Sequence, residues 1–336
     1  MSSTSHKPEA DSARESCVEL YIPSVPADYI TRSQKFWFED GSVIVQAEST
    51  QFRLYRGLLA KHSTFFNDLS QVSQPAWETM IEGCPVIIVS DRAKDWHNLL
   101  TLVHHLHDYA DTNHSYSIFE LISFLRLGHK YQFDRIRLMA SRALKHRFPC
   151  KLRDWDSSCN PSMDQIVSSA ADSSASHNFE FELINIAPDA GLQTILPAVY
   201  LKCFSSHGLK KIFSGITLPD GTSSSLSPTT QATLSIGHEK LILASIDLLI
   251  KPLLSFNYSG CKNTDNCRVQ CAGIVSRYIT QILTEFASDG FEDEDFCWGC
   301  MPKIASLIAE GRKKLWDMLP SYFGLPKWDK LKDWDD

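Results

Sequence analysis

The stretch of residues 40–69, DGSVIVQAESTQFRLYRGLLAKHSTFFNDL, changes its hydrophobic period halfway along. A β-branched run at 43–45 and a turn-forming segment precede Phe52 and Leu54, which alternate with polar neighbours as in a strand with one buried face. Beyond them the apolar residues recur at helical spacing, and Ser63 stands where it can cap a second short helix. The pattern predicts two strands followed by a helical hairpin, which is the start of an α+β fold.

Three later segments are predicted to pack onto this unit. Residues 84–89, CPVIIV, form an apolar run typical of a buried strand. An amphipathic stripe follows from Trp96 to Leu106. Ser117 and Glu120 have the spacing of a capping box, which indicates the start of another helix.

The helical half of the first segment also contains a recognisable pattern. The pattern is xxRxxLAxxSxxF, formed by Arg56, Leu59, Ala60, Ser63 and Phe66. With the strands before it, FWFEDGSVIVQAESTQFRLYRGLLAKHS resembles the opening of a BTB/POZ domain, in the form abundant in mushroom-forming fungi. The amphipathic stripe, the closing LRLGHKYQFDRIRLMASRALKHRFP and the late GRKKLWDMLPSYFGLPKWDKL extend the resemblance. The family usually has His where this chain has Tyr55, so a contact assigned to that His does not carry over.

The resemblance implies a fold and a class of function. It implies a small BTB/POZ-like domain, a short β-sheet capped by helices, that self-associates or recruits protein partners. Family members act as transcriptional cofactors or as substrate adaptors on cullin-type ubiquitin ligases, so a homo-oligomer and a cullin scaffold are the expected partners. The helical region that follows is similar in position to the BACK-type extension of many such proteins.

Composition and length divide the 336 residues into four parts. We expect a disordered lead-in at 1–30, the BTB/POZ-like domain at 31–149, a Ser-rich linker at 150–178 and a mostly α-helical domain at 179–330. Within the helical domain, Gly237 is predicted to divide two helices. Arg312, in the basic run 312–314, is predicted to face solvent.

Five of the ten cysteines lie between residues 261 and 300. Cys297 and Cys300 have the two-residue gap of a zinc knuckle, and Cys261 and Cys267 form a looser pair before the intervening helix. We predict a structural zinc ion on these four residues, because four thiolates leave no open coordination position. Cys271, one helical turn after Cys267, is an alternative ligand, and a set of free buried thiols is the alternative to any metal.

Other features of the sequence narrow the function. The formal net charge of −7 argues against a surface dedicated to nucleic acid, and no stretch approaches the apolar length of a membrane span. The first twenty residues lack the apolar core of a signal peptide, which predicts an intracellular protein, cytoplasmic or nuclear. Without a phosphate loop, a GxSxG elbow or an HExxH motif, we predict no enzyme activity. A zinc-stabilised regulator associated with nucleic acid and a metal or thiol enzyme are the alternatives.

Overall fold

The computed structural model describes residues 29–72, 79–105, 116–159, 178–281 and 296–336. The strands in these ranges are β1 (Thr31–Trp37), β2 (Val43–Ala47), β3 (Thr50–Leu54), β4 (Met80–Ile81), β5 (Cys84–Val89), β6 (Ile216–Thr217) and β7 (Ser223–Ser224). The helices up to residue 159 are α1 (Arg56–His62), α2 (Thr64–Gln71), α3 (Ala93–His105), α4 (Ile118–Lys130), α5 (Asp134–Arg147) and α6 (Leu152–Cys159). The fold is therefore α+β, as predicted.

The remaining helices lie in the C-terminal half. They are α7 (Glu180–Asp189), α8 (Leu196–Ser206), α9 (Leu209–Ser214), α10 (Pro228–Ser245), α11 (Lys251–Leu254), α12 (Thr264–Gln281) and α13 (Met301–Tyr322). A π-helical turn, Ile246–Ile250, joins α10 to α11. Among the described helices, none is both long enough and apolar enough to cross a bilayer.

The five N-terminal strands form one sheet in the order β1-β3-β2-β5-β4. β2 pairs with β3 as an antiparallel hairpin, Val45 opposite Phe52, and with β5 in parallel, Val45 opposite Ile87. All five residues of β2 are buried, because this strand is in the middle of the sheet and side chains pack on both of its faces. The predicted strand, turn and second strand are confirmed.

Local capping signals explain where the helices of this half begin. The Ser63 hydroxyl accepts a hydrogen bond from the Phe66 backbone N–H at 3.1 Å and donates to the Tyr131 carbonyl at 2.5 Å. It therefore caps α2 and also ties α2 to the end of α4. Ser117 and Glu120 form the predicted capping box of α4.

The segment predicted as a Ser-rich linker begins with a helix instead. Trp155 of α6 is buried, and its ring centroid lies 5.4 Å from that of Trp316 on α13. Asp156 accepts a hydrogen bond from Arg312 Nη2 at 2.5 Å. The prediction that Arg312 faces solvent is wrong, because this pairing and the packing of α6 bury its side chain to 9% exposure.

Gly237 does not divide two helices, since α10 runs without a break from Pro228 to Ser245. The glycine is needed for close packing instead. A Cβ at this position would lie 2.2 Å from Cδ1 of the buried Phe323, so the ring packs directly on the helix backbone. The position favours glycine for lack of space and not for backbone flexibility.

One apolar core extends from Phe36 in β1 to Phe323 after α13, so the sheet-containing half and the helical half share it. Polar contacts reinforce this junction: Arg137 Nη2 donates to the Ala190 carbonyl at 2.7 Å, and Trp316 Nε1 donates to the Cys150 carbonyl at 2.8 Å. A second, smaller cluster lies around the cysteines of α12 and Cys300, the residue before α13. The prediction for residues 1–30 falls outside the described residues, apart from Tyr29 and Ile30.

Candidate metal centre

Four cysteines converge where α12 and α13 begin. Cys261 follows a turn in which its N–H donates to the Tyr258 carbonyl at 2.9 Å, and Cys267 lies in the first turns of α12. Cys297 and Cys300 form a tight turn immediately before α13, in which the Cys300 N–H donates to the Cys297 carbonyl at 2.9 Å. Each pair therefore lies where a loop leads into a helix.

The four sulfur atoms, of Cys261, Cys267, Cys297 and Cys300, all lie within 4.8 Å of one another. The Sγ atoms of Cys261 and Cys297 are 3.6 Å apart. A disulfide requires about 2.05 Å, so this pair is not bonded, and each cysteine of the quartet is a free thiol. Thiols that are 36 residues apart in sequence have thus been brought into van der Waals contact.

Cys271 does not belong to the quartet, although it lies one turn along the same helix from Cys267. Its Sγ donates instead to the Leu253 carbonyl at 3.4 Å, on α11. The structure thus selects Cys267 over the alternative ligand that helical spacing leaves open.

Backbone N–H groups donate to two sulfur atoms of the quartet, those of Cys297 and Cys267. The amide of Lys262 makes the largest contribution to lowering the pKa of Cys297 to about 6; burial opposes it, and the amides of Cys300 and Gly299 add to it. The Cys297 N–H donates to Cys267 Sγ at 3.4 Å. Amide donors of this kind stabilise negative charge on sulfur, and at Cys297 they outweigh burial, so this cysteine favours its thiolate form.

Two of the four thiols, those of Cys267 and Cys300, are buried. Cys267 is 0% exposed and Cys300 is 4% exposed, and burial raises the pKa of each. Without a positive charge nearby, these two would stay protonated. A divalent cation at the centre would reverse this preference, because a coordinating thiol loses its proton.

Two features near the site were missed by the sequence analysis. Trp298, within the Cys297–Cys300 turn, is 74% exposed, and Lys262 Nζ lies 4.9 Å from its ring centroid. Lys262 and Gly299 also supply backbone donors to the quartet. Gly299, between Cys297 and Cys300, was the signal in the sequence for the turn. Nothing in the sequence pairs Lys262 with Cys297.

The other buried charges of the described residues form salt bridges within the protein. Arg126 bridges Asp95 at 2.5 Å and Glu182 at 2.6 Å, which joins α3, α4 and α7. His207 Nε2 lies 3.0 Å from a carboxylate oxygen of Glu180, and both side chains are only 1% exposed. These pairs face neighbouring helices, so the cysteine quartet is the arrangement best suited to a ligand.

No family model matches the chain, and no curated protein matches it closely enough to be significant.

Proposed function

We propose that this chain is a non-catalytic protein-interaction protein whose C-terminal helices are held together by a structural zinc ion. The observation that carries the metal part is the approach of four Sγ atoms to within 4.8 Å of one another. Tetrahedral zinc with Zn–S bonds of about 2.3 Å places its sulfur ligands about 3.8 Å apart. The 3.6 Å between Cys261 and Cys297 fits that spacing.

The chemistry of the donors favours zinc over the alternatives. Four thiolates form a soft ligand set that selects zinc or iron over magnesium and calcium. Free buried thiols pack as small apolar groups and have no reason to point four sulfur atoms at one centre. The amide donors around Cys297 and Cys267 are the kind of outer contacts that orient metal ligands.

A closed set of four ligands supports a structural role for the metal. Catalytic zinc keeps one position for water or substrate, and four cysteines fill every position. This argues against the metal-enzyme alternative. A groove of about 880 Å³ is lined by Phe256, Leu307, Lys303 and Glu310 among others, and no cysteine of the quartet lines it.

The test is the metal content of purified protein, measured by mass spectrometry of the elements. We expect one zinc per chain in the wild type and in Cys271→Ser, and a loss of at least most of the zinc in Cys267→Ser. The two variants change the same residue type on one helix, so they form a matched pair. Absence of metal from the wild type, or an equal loss of zinc in both variants, would refute the zinc centre. Iron in place of zinc would be recognised by its visible absorbance.

The interaction part of the proposal is supported by the order of elements at the amino end. From β2 to α5 the order is two strands, two short helices, the two-residue β4, the longer strand β5 and three longer helices. Apart from the short β4, this is the order that the BTB/POZ resemblance implies. α2 also presents Phe65 and Leu69 to solvent one turn apart, with 38% and 39% exposure, and Val72, which follows the helix in an extended conformation, is 65% exposed. Exposed apolar residues grouped on one face are typical of surfaces that contact other proteins.

Light scattering on the full chain tests self-association, and titration with a purified cullin scaffold tests the adaptor role. We expect a dimer at tens of micromolar. Leu69→Asp changes an exposed residue of α2, so loss of the dimer in this variant would come from the α2 surface and not from the core. A monomer that also fails to bind the scaffold would contradict the two partner classes that the resemblance implies.

The nucleic-acid alternative is disfavoured by where the basic residues lie. Lys145 is paired with Asp333 at 2.9 Å and with Asp335 at 2.8 Å, and Arg312 is buried against Asp156. The alternative would use the basic segments 142–147 and 312–314, and one cation of each is therefore engaged within the protein. DNA binding that weakens steeply with added salt would revive it.

A further inference from the structure

We propose that the zinc centre is a redox switch in which a hydroperoxide joins Cys261 and Cys297 as a disulfide and releases the metal. The proposal rests on the zinc centre proposed above and adds how that centre is regulated. It depends on a difference among the four ligands, which divide into an outer pair and an inner pair.

The outer pair is Cys261 and Cys297. Both are partly exposed, whereas Cys267 and Cys300 are buried. The outer Sγ atoms are 3.6 Å apart, so a disulfide of about 2.05 Å needs them to approach by only about 1.5 Å. Both cysteines lie in loops that precede helices, where the backbone can accommodate such a movement more easily than within a helix.

The reaction has two balanced steps. With hydrogen peroxide as the hydroperoxide, the Cys297 thiolate attacks one oxygen, an S–O bond forms, the O–O bond breaks, and sulfenic acid and hydroxide are the products. The Cys261 thiolate then attacks the sulfenic sulfur, the S–O bond breaks, and a second hydroxide leaves as the disulfide forms. The two sulfur atoms are oxidised, the peroxide is reduced, and two protons from solvent convert the hydroxides to water.

Oxidation removes two of the four ligands. Cys267 and Cys300 alone hold zinc far more weakly than four thiolates do, so the ion leaves. The disulfide still joins the two loops across 36 residues, which prevents α12 and α13 from separating completely. The switch therefore exchanges a metal cross-link among all four cysteines for a covalent one between the outer pair, and a dithiol reductant with zinc restores the starting state.

The experiment treats the full zinc-loaded chain with hydrogen peroxide in the presence of a chromogenic zinc chelator. We expect release of one zinc per chain, together with a Cys261–Cys297 disulfide in peptides analysed without reduction. Cys267 and Cys300 should remain alkylatable after denaturation. Cys271→Ser and Cys84→Ser should release zinc at the wild-type rate, since neither thiol belongs to the quartet. Dithiothreitol and added zinc should reverse both changes.

The outcomes separate the switch from the metal centre on which it rests. Purified protein without zinc would refute the centre itself, whatever peroxide does. Zinc that is present but not released by peroxide would refute the switch alone. Release with a first disulfide that contains Cys267 or Cys300, or with sulfonic acids and no disulfide, would also refute the switch and leave the centre intact.

Discussion

The main core and the small cluster around the cysteines differ in size and in what they need to stay folded. The main core runs through both halves of the chain and buries large side chains such as Trp96, Phe124 and Trp316. The small cluster has ten buried residues, of which three are cysteines. Small cores seldom bury enough apolar area to offset the entropy of ordering the chain, and natural proteins compensate with metals or disulfides. The comparison indicates that the cysteine quartet compensates for the small size of the second cluster.

Removing the metal should therefore have the largest effect, and a local one. Structural zinc contributes on the order of 10 kcal/mol to the folding of small zinc domains. We expect chelation to abolish hydrogen-exchange protection in α12 and in the first half of α13, where Ile304 and Ile308 belong to the small cluster. The second half of α13 contributes Leu315 and Trp316 to the main core and should stay protected.

Re-addition of zinc is the control for the chelator, and protection in β2 and β3 is the internal reference. Equal loss of protection in strands and helices would mean that the clusters fold as one unit, and the comparison would fail.

The converse experiment weakens the main core and leaves the metal in place. Phe66 on α2 is 3% exposed, and its ring lies near those of Trp96, Tyr131 and Phe133. Phe66→Ala should lower the free energy of unfolding by about 3–5 kcal/mol, because it removes contacts and leaves a cavity. Urea denaturation measures the loss, and zinc content should be unchanged.

Phe65→Ala is the matched control, since this neighbouring ring is 38% exposed. Its cost should be smaller by at least half. Equal costs would show that the α2 surface is buried against something else.

The features that could be predicted from sequence are those fixed by near neighbours along the chain. The two strands, the Ser63 cap and the Ser117 capping box depend on residues only a few positions apart, and all were confirmed. Arg312 and Gly237 could not be interpreted in this way. The partner of Arg312 lies 156 residues away, and the ring that requires Gly237 lies on another element.

The metal centre shows the same limit. The gap between Cys297 and Cys300 is a local signal, and the sequence identified it. Cys267 and Cys271 are one helical turn apart and both buried, so periodicity cannot choose between them. The choice depends on α11, whose Leu253 carbonyl accepts a hydrogen bond from the Cys271 thiol. The long-range position of one carbonyl thus decides which thiol is available to a metal.

The junction within the main core predicts a dependence on pH. Burial would raise the pKa of Glu182, but a hydrogen bond from Ser224 and the charges of Arg126 and Arg92 outweigh it and lower that pKa. A carboxylate with a depressed pKa contributes stability above its unfolded value of 4.5, and the contribution is lost as pH falls through the folded value. Acid should therefore weaken the junction between the halves below about pH 4.5.

Glu182→Gln tests this assignment. At neutral pH it should cost about 1–3 kcal/mol, because Arg126 loses a charged partner but keeps Asp95. Below pH 4.5 the difference from wild type should shrink, as measured by urea denaturation across pH. Glu239→Gln, at an exposed position of α10, should leave the pH profile unchanged. A difference in the free energy of unfolding that stays constant at every pH would mean that the lowered pKa does not belong to Glu182.

The smallest expected effects are those of alanine at two helical glycines, Gly273 and Gly237, which should change stability in opposite directions. A Cβ added at Gly273 on α12 would meet no atom within 4 Å, so Gly273→Ala should stabilise that helix by up to about 1 kcal/mol through helix propensity.

Gly237→Ala gains the same propensity, but its Cβ would overlap the Phe323 ring at 2.2 Å. Overpacking of this kind costs about 1–3 kcal/mol, so the net change should be destabilising by up to about 2 kcal/mol. Thermal unfolding of both variants measures the two changes. Stabilisation by Gly237→Ala would mean that Phe323 moves aside easily and that the main core is looser there than its burial indicates.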